Sequence, residues 1–250
     1  MSGDIAIRVR GLVTRFGAQT VHEGLDLDVR RGEILGVVGP SGCGKSVLLR
    51  EIVGLQPATA GEISFPYLEA EGREPRVGVM FQDGALFSNL TVLENVEAPL
   101  REHTRLSPHL RREIAALKLA MAGLGKDAHH KRPAQISGGM RKRAAVARAL
   151  ALDPELLFLD EPTAGLDPIA AENFDRMTRE LAKSLGLTVF LVTHDLDTLH
   201  AICDRVAVLY GGKVAAIGTI AEITAHAEGW VAEYFSGPRG RAAIRGVVGG

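Results

Sequence analysis

The chain has 250 residues, of which 46% are hydrophobic and only 5% aromatic. Lys and Arg total 29 against 30 Asp and Glu, so a net charge of -1 gives no electrostatic reason to expect nucleic acid or anionic lipid as a partner. A core of aliphatic side chains suits a parallel sheet covered by helices, and we predict one α/β domain with an inserted subdomain.

Cysteine usage and the N-terminus bear on the compartment. Cys43 and Cys203 lie far apart in sequence, which argues against a disulfide framework and for a reducing compartment. No basic segment leads into an apolar stretch near Met1, so we expect no signal peptide. No segment without Asp, Glu, Lys or Arg is longer than 34–44, which is shorter than the ~20 apolar residues that cross a bilayer. Any membrane role would therefore depend on a partner.

The first third of the chain predicts strands around one glycine loop. Residues 5–13 and 25–30 alternate apolar and polar side chains, which indicates an antiparallel β subdomain. An apolar run at 33–38 leads into a glycine-rich loop and then a helical segment at 47–53, a strand–loop–helix unit. A further strand pair is predicted at 61–65 and 77–81.

Helical signals dominate the segment 83–153, which we predict to be the inserted helical subdomain. Thr91 and Glu94 match a capping box, and Ser107 before Pro108 matches a helix start. The remaining predicted elements are buried strands at 156–159, 188–193 and 206–209, a helix from Asp167-Pro168 to Gly186, a short helix after His194 and a flexible tail at 237–250.

The glycine loop fits the phosphate-binding pattern GxxxxGKS and comprises Gly39, Pro40, Ser41, Gly42, Cys43, Gly44, Lys45 and Ser46, with Val47 following. In such a loop the backbone N–H groups point at phosphate oxygens at a helix N-terminus. Lys45 is expected on the β and γ phosphates and Ser46 on Mg²⁺. A glycine turn beside a surface lysine is the alternative, but the position between a strand and a helix favours phosphate.

Two carboxylates follow the predicted strand 156–159 at its C-terminal end, where α/β folds place their ligands. Asp160 is expected to hold the Mg²⁺ shell. Glu161 is suited to act as general base on the attacking water. Alone, this pair would equally fit an acidic turn that closes a strand. The phosphate loop earlier in the chain favours the catalytic interpretation.

A second glycine-rich helix start lies at Ser137, Gly138 and Gly139. It supplies another anion-binding cradle, and one nucleotide rarely needs two. The economical explanation is that this cradle completes the site of a second copy in a head-to-tail homodimer with two ATP molecules. The basic residues that follow, Arg141, Lys142, Arg143 and Arg148, are expected on a solvated helix face rather than on nucleic acid.

In this order the motifs closely resemble the ATP-binding cassette (ABC) ATPases over nearly the whole chain. The resemblance implies an ABC-type P-loop fold over residues 1–236, with a mainly parallel sheet, an N-terminal antiparallel β subdomain and an inserted helical subdomain. It identifies the Walker A loop (39–46), Walker B (156–160) and the signature motif (137–139), and it implies ATP and Mg²⁺ as cofactors. Further implied site residues are Gln82 on the metal and nucleotide, Asp167 in the D-loop, His194 as the γ-phosphate sensor and Phe16 stacking on adenine.

Two positions depart from that family's usual pattern. Ile136 and Met140 replace the outer residues of LSGGQ, which keeps the backbone cradle and alters one side-chain contact. Phe16 stands where Tyr is commoner, which keeps the aromatic face and loses a hydroxyl. Neither change predicts inactivity.

The stretch 81–92, together with Asn95, residues 99–104 and residues 136–140, looks like the ATPases of Mla or Mce-type phospholipid transporters. That resemblance implies a membrane permease, an MCE-domain lipid-binding protein and a small STAS-domain subunit as partners, on the cytoplasmic face of a bacterial inner membrane. The apolar residues Leu86, Phe87, Leu90 and Val92 could grip the permease or could form subdomain core, and both interpretations stay open.

Three other functions are weighed against phospholipid transport. An ABC importer for a polar solute such as an amino acid would show the same motifs. An ABC-like ATPase of DNA repair or translation would need a long coiled coil or a second cassette, which the sequence lacks. A small-molecule P-loop kinase would leave the signature motif and His194 unexplained.

Overall fold

The computed structural model describes residues 5–236, which form two compact units. One unit combines residues 5–74 and 188–236, and the other spans 75–187. Within residues 5–236 no helix is both long and apolar enough to cross a membrane. The predicted flexible tail at 237–250 lies outside the described residues.

Strands and helices are interspersed along the chain. In order they are β1 (Ile5–Phe16), β2 (Gln19–Arg30), β3 (Ile34–Val38), α1 (Lys45–Ile52), β4 (Ala60–Ser64), α2 (Pro66–Ala70), β5 (Val77–Met80), α3 (Val92–His103), α4 (Pro108–Met121), α5 (Gly138–Ala149), β6 (Leu156–Asp160), α6 (Pro168–Leu185), β7 (Thr188–Val192), α7 (Leu196–Ile202), β8 (Arg205–Tyr210), β9 (Lys213–Gly218), α8 (Ile220–Ala225) and α9 (Gly229–Ser236).

The first unit contains an antiparallel sheet of order β2-β1-β4, as the alternation at 5–13 and 25–30 predicts. Ile7, Val9 and Leu12 of β1 are buried on one face. The strands run longer than predicted and meet in a tight turn between Phe16 and Gln19. This hairpin brings Phe16 to the end of β1.

The same unit contains a parallel sheet, in which β3 pairs with β7 on one side and β8 on the other. All residues of β3 and β7 are buried, which explains why both read as continuous apolar runs. β9 pairs antiparallel with β8 and has no counterpart among the predicted strands. Its residues are mostly exposed or half-buried, so its hydrophobic pattern is weak.

In the second unit, β5 pairs in parallel with β6, whose five residues are all buried. The predicted pairing of 61–65 with 77–81 is therefore wrong, because β4 pairs with β1 and β5 pairs with β6. The segment between them is not a hairpin turn but contains the short helix α2. Strand partners are chosen by the apolar faces they must cover, which neighbouring sequence does not reveal.

Helix starts in the second unit follow the predicted caps. Thr91 and Glu94 form a capping box at α3, and the Ser107 hydroxyl accepts from the Leu110 N–H at α4. Asp167 caps α6 by accepting from the Ala170 N–H at 2.9 Å. These side chains satisfy backbone donors that have no partner inside their helices, which fixes where each helix begins.

The C-terminal helices pack on their own unit. Phe235 is buried in a cluster with Val38 and Leu199, next to the end of β3. Trp230 stacks on Tyr210 and on Tyr234, with ring centroids 5.6 and 5.0 Å apart. The packing supports β3, the strand that leads into the phosphate loop, and β8, which pairs with it.

Thr14, His22 and Glu51 form a buried polar group between β1, β2 and α1. The Thr14 hydroxyl donates to Glu51 Oε1 at 2.7 Å and lies 2.8 Å from His22 Nδ1. Which group donates in the Thr14–His22 contact depends on the tautomer of the His22 ring. His22 Nδ1 also lies 3.2 Å from Glu51 Oε2, and both side chains are fully buried.

We expect Glu51→Ala to lower the free energy of unfolding by about 3 kcal/mol, since removing one member of a buried pair leaves the other without compensation. Glu51→Gln should have a smaller effect, because the amide oxygen can still accept from Thr14. Urea unfolding with an unchanged m value measures both. A loss below about 0.5 kcal/mol for Glu51→Ala would show that this group does not stabilise the fold.

Candidate nucleotide site

The glycine loop connects β3 to α1 in the first unit, as predicted from the pattern GxxxxGKS. Gly39 is buried, and a Cβ there would lie 2.3 Å from the Leu209 carbonyl oxygen. Gly44 has φ 98°, and a Cβ there would lie 2.5 Å from His22 Nε2. Both positions need glycine, one for close backbone approach and the other for a left-handed conformation as well.

Lys45 occupies the interior of this loop. Its ammonium donates to the carbonyl oxygens of Gly39 at 2.8 Å and Pro40 at 3.0 Å. The loop therefore places a cation among backbone groups at the N-terminus of α1, where anions are favoured. Ser46 and Val47 follow in the first turn of α1, both half-buried, and Ser41 and Gly42 are exposed at the tip.

Phe16 and His194, the other two predicted site residues of the first unit, are both exposed. Phe16 ends β1 with 49% of its side-chain surface accessible, so its ring is available for stacking. His194 lies between β7 and α7, and its backbone carbonyl accepts from the Tyr234 hydroxyl at 3.2 Å. The aromatic cluster of the C-terminal helices thus holds the segment that carries His194.

The two predicted carboxylates end β6 in the second unit. Asp160 is 4% exposed at the last position of the strand. Glu161 follows with φ 49°, a left-handed conformation that a non-glycine residue adopts only when its surroundings hold it there. Such backbone strain clusters at functional sites. The strand end therefore presents a buried carboxylate and a half-buried one on a constrained turn.

The second glycine cradle begins α5. The Ser137 hydroxyl accepts from the Met140 N–H at 3.2 Å, which makes Ser137 the N-cap. Gly138 and Gly139 are half-buried, and a Cβ on either would meet nothing closer than 3.9 Å. Ile136 is buried beneath the cradle. The backbone N–H groups of this helix start are thus presented at an exposed edge of the second unit.

The basic residues of α5 do not form the solvated face that the sequence predicts. Lys142 is 8% exposed, and its ammonium donates to the carbonyl oxygens of Gln82 and, at 3.2 Å, of Glu161. Burial lowers the pKa of Lys142, and the carboxylates of Asp83, Glu161 and Asp160 act in the opposite direction. Only Arg141 of the four basic residues is exposed.

The other two basic side chains of α5 also bind backbone carbonyls. Arg148 donates to Gly84 at 2.8 Å and Ala85 at 2.7 Å, and its guanidinium lies 5.9 Å from the centre of the Phe87 ring. Arg143 donates to Ala122 and Asn173. The prediction failed because α5 is buried on nearly every side, including the run from Ala144 to Ala147, which leaves little solvated face.

The structure distributes the predicted residues over the two units. Phe16, residues 39–47 and His194 belong to the first, and the second contains Gln82, residues 137–139, Asp160, Glu161 and Asp167. Within the second unit, Gln82 and Glu161 share one ammonium, that of Lys142. Sequence reasoning missed Lys142, although its position between the signature glycines and a run of small residues was a signal of burial.

The apolar residues after Gln82 divide between two roles. Val92 is fully buried, Leu86 and Leu90 are half-buried, and Phe87 is 53% exposed. Phe87 lines a cavity of about 430 Å³ together with Pro99, Arg101, His103, Arg148 and neighbouring residues of α3. Val92 therefore belongs to the subdomain core, whereas Phe87 lies at an open apolar groove, and a permease contact there stays a prediction.

Comparison with known proteins identifies the family of this chain. Residues 22–164 match the ABC transporter family. The chain is 36% identical over 94% of its length to the probable ribonucleotide transport ATP-binding protein mkl of Mycobacterium leprae, covering 70% of that protein. It is 37% identical over 92% of its length to the intermembrane phospholipid transport system ATP-binding protein MlaF of Haemophilus influenzae, covering 90% of it.

Other relatives carry different transport names or are solved structures. The sulfate/thiosulfate import ATP-binding protein CysA of Bordetella parapertussis is 39% identical over 88% of this chain, which covers 63% of CysA. A dimeric ATP-binding cassette solved in a post-hydrolysis state with ADP and Pi is similar with a TM-score of 0.76 and 31% identity, over 86% of this chain and 98% of that one.

Proposed function

This chain belongs to the ABC transporter family and is an ATP hydrolase, and from that premise we propose that it works as a head-to-tail homodimer that energises phospholipid transport through a separate permease. The observation that carries the dimer is the presence of two glycine cradles, at 39–46 and 137–139, each at the N-terminus of a helix. Two anion-binding devices in one chain fit one nucleotide between two copies.

The proposed cycle assigns each motif a step. Lys45 and the backbone N–H groups of its loop bind the phosphates of ATP in one copy. Residues 137–139 of the other copy bind the same γ-phosphate, which closes the dimer. Glu161 takes the proton of the attacking water, and His194 contacts the γ-phosphate. Closure drives transport only because ATP binds the closed dimer more tightly than the open one.

The remaining site residues recognise the nucleotide and support the closed state. Phe16 stacks on adenine through an exposed aromatic face. The Asp167 carboxylate accepts from the Ala170 N–H as the cap of α6, and this hydrogen bond holds it in position for its proposed role at the dimer interface. Gln82 belongs to a segment whose backbone is held by Lys142 and Arg148, while its own side chain is exposed.

The residues proposed for Mg²⁺ fit that ion. Ser46 supplies a hydroxyl, Asp160 a buried carboxylate and Gln82 an amide oxygen, and oxygen ligands are those that Mg²⁺ prefers. Mg²⁺ usually takes few protein ligands and completes its shell with water and substrate phosphates. When bound, it would neutralise charge on the phosphates. The described residues contain no cluster of three or more His, Cys, Asp or Glu that would suggest another metal.

Phospholipid as the cargo is supported by two observations. The relative named for intermembrane phospholipid transport matches nearly its whole length. Residues 81–92, Asn95, 99–104 and 136–140 also resemble the corresponding residues of Mla or Mce-type ATPases. The proposed partners are accordingly a permease, an MCE-domain lipid-binding protein and a STAS-domain subunit, with the ATPase peripheral on the cytoplasmic face of the inner membrane.

Import of a polar solute is the second candidate, favoured by the resemblance to proteins named for sulfate/thiosulfate import and for ribonucleotide transport. Purification of the intact complex decides between them. Phospholipid that co-purifies with the permease, identified by mass spectrometry, supports the first function. A soluble substrate-binding protein that stimulates ATP turnover with its polar ligand would support the second.

We expect Phe87→Ser to reduce co-purification of the permease at least about tenfold, because it removes an apolar anchor from the groove beside α3. Leu117→Ser is the matched control, since Leu117 is a similarly exposed apolar residue on α4, 58% against 53% for Phe87. Retention of the permease is measured by pull-down with equal ATPase input. Equal loss in both variants would contradict this docking surface.

A further inference from the structure

The start of the segment 82–85 is held by helix α5. Lys142 donates to the carbonyl of Gln82, and Arg148 donates to the carbonyls of Gly84 and Ala85. Both donors lie on the helix that begins at the signature glycines 137–139. A movement of α5 therefore acts directly on the backbone that carries Gln82.

The same Lys142 ammonium also binds the carbonyl of Glu161 at 3.2 Å. That carbonyl belongs to the residue with φ 49° at the end of β6. Because a left-handed residue stays in place only when its surroundings hold it, a fixed carbonyl restrains the direction of the Glu161 side chain. One ammonium thus links the turn of the general base with the segment that begins at Gln82.

Burying a lysine at this position costs free energy, because desolvation disfavours the charged ammonium. An aliphatic side chain would pack here without that penalty but would leave the two carbonyls without this donor. The ammonium has three protons in a compact group, so it can satisfy carbonyls in different directions. The two hydrogen bonds of this ammonium therefore point to a task beyond filling volume.

We propose that Lys142 is a positioning residue that couples the signature helix to both Gln82 and Glu161. When ATP of the partner copy draws residues 137–139 towards its γ-phosphate, α5 moves and Lys142 carries that movement to the carboxylate that activates water. The signature of one copy thereby controls the general base of the same copy. This inference rests on the proposed function, in which Glu161 is the base and 137–139 bind the partner's ATP.

If Lys142 positions Glu161, replacing Lys142 should lower ATP turnover and leave the affinity for ATP nearly unchanged. Lys142→Met should lower kcat by about tenfold or more, since small misplacements of a catalytic group have effects of this order. The affinity for ATP should change by less than about threefold, because Lys45 and its loop remain intact. Lys142→Arg should recover most of the lost turnover, because the guanidinium also donates to several carbonyls.

Lys118→Met is the matched control, because Lys118 is another buried lysine of the same unit. It is 5% exposed and pairs with Asp153 at 2.5 Å, remote in sequence from Gln82 and Glu161. This variant should lose thermal stability while its kcat at 25 °C stays within about twofold of wild type. A general penalty for removing a buried lysine would instead lower kcat equally in both variants.

The experiment measures steady-state ATPase kinetics, binding of a fluorescent ATP analogue and thermal unfolding for the purified full chain of each variant, with Glu161→Gln alongside. Low kcat with preserved ATP affinity in Lys142→Met, and recovery in Lys142→Arg, support the coupling. Near-normal kcat in Lys142→Met while Glu161→Gln is inactive overturns the coupling alone. Full activity of Glu161→Gln overturns the proposed base and the coupling together.

Lys142→Gln replaces Lys142→Met if the latter does not fold, since its amide still donates one hydrogen bond to a carbonyl. The same criteria apply. A normal kcat in Lys142→Gln, or an equal loss of ATP affinity and kcat, contradicts the positioning role.

Discussion

Glu161→Gln should lower ATP turnover by at least ~10²-fold while ATP binding persists, the scale expected when a general base is lost. The amide has nearly the shape of the carboxylate but accepts no proton at neutral pH. The backbone around Glu161, including its contact with Lys142, should stay in place because the substitution changes only the end of the side chain. ATP-bound dimers should therefore accumulate instead of turning over.

Phosphate release and size-exclusion chromatography with ATP measure these two effects. Glu172→Gln is the control, because it makes the same carboxylate-to-amide change at an exposed position of α6. It should leave kcat within about twofold of wild type. Persistent hydrolysis in Glu161→Gln would assign the base to another residue. Loss of ATP binding would instead show that Glu161 holds the nucleotide.

The phosphate loop and the carboxylates at the end of β6 could be predicted because their chemistry is local. The short segment 39–46 alone predicts a glycine with positive φ at Gly44, where φ is 98°, and a lysine in the first turn of α1. The capping boxes follow the same logic, since Thr91 and Glu94 lie three residues apart. Such features need no knowledge of distant parts of the chain.

The pairings and burial that the sequence did not reveal depend on distant contacts. β4 and β5 are neighbours in sequence, yet each pairs with a strand that it does not follow, β1 and β6 respectively. The charges of Lys142 and Arg148 suggested solvent, but Lys142 binds the carbonyl of Gln82, 60 positions away, and Arg148 that of Gly84, 64 positions away. The sequence gives the type of each side chain, whereas tertiary packing determines which groups that side chain contacts.

Heterodimers carrying Lys45→Ala and Gly139→Glu provide the sharpest test of head-to-tail assembly. Lys45→Ala removes the ammonium from the phosphate loop. Gly139→Glu places a carboxylate at the signature cradle, where it repels phosphate. The fold should tolerate it, because a Cβ at Gly139 lies 3.9 Å from its nearest neighbours, Ala170 and Leu166.

Two arrangements of these substitutions have opposite expected results. With both in one copy and a wild-type partner, each composite site contains one defect, and turnover should fall to background. With one substitution in each copy, both defects meet in the same site, and the other site stays intact. That second heterodimer should keep up to about half of wild-type turnover if the sites act independently.

Purification through two different affinity tags, one on each copy, isolates the heterodimers for measurement of phosphate release. The comparison is informative because a site contained within one chain predicts the reverse order. In that case the doubly substituted copy would leave its wild-type partner fully active, and the divided arrangement would inactivate both. Which of the two heterodimers has the higher turnover therefore distinguishes a site composed of two copies from a site contained in one chain. This holds even if each substitution lowers turnover only partly.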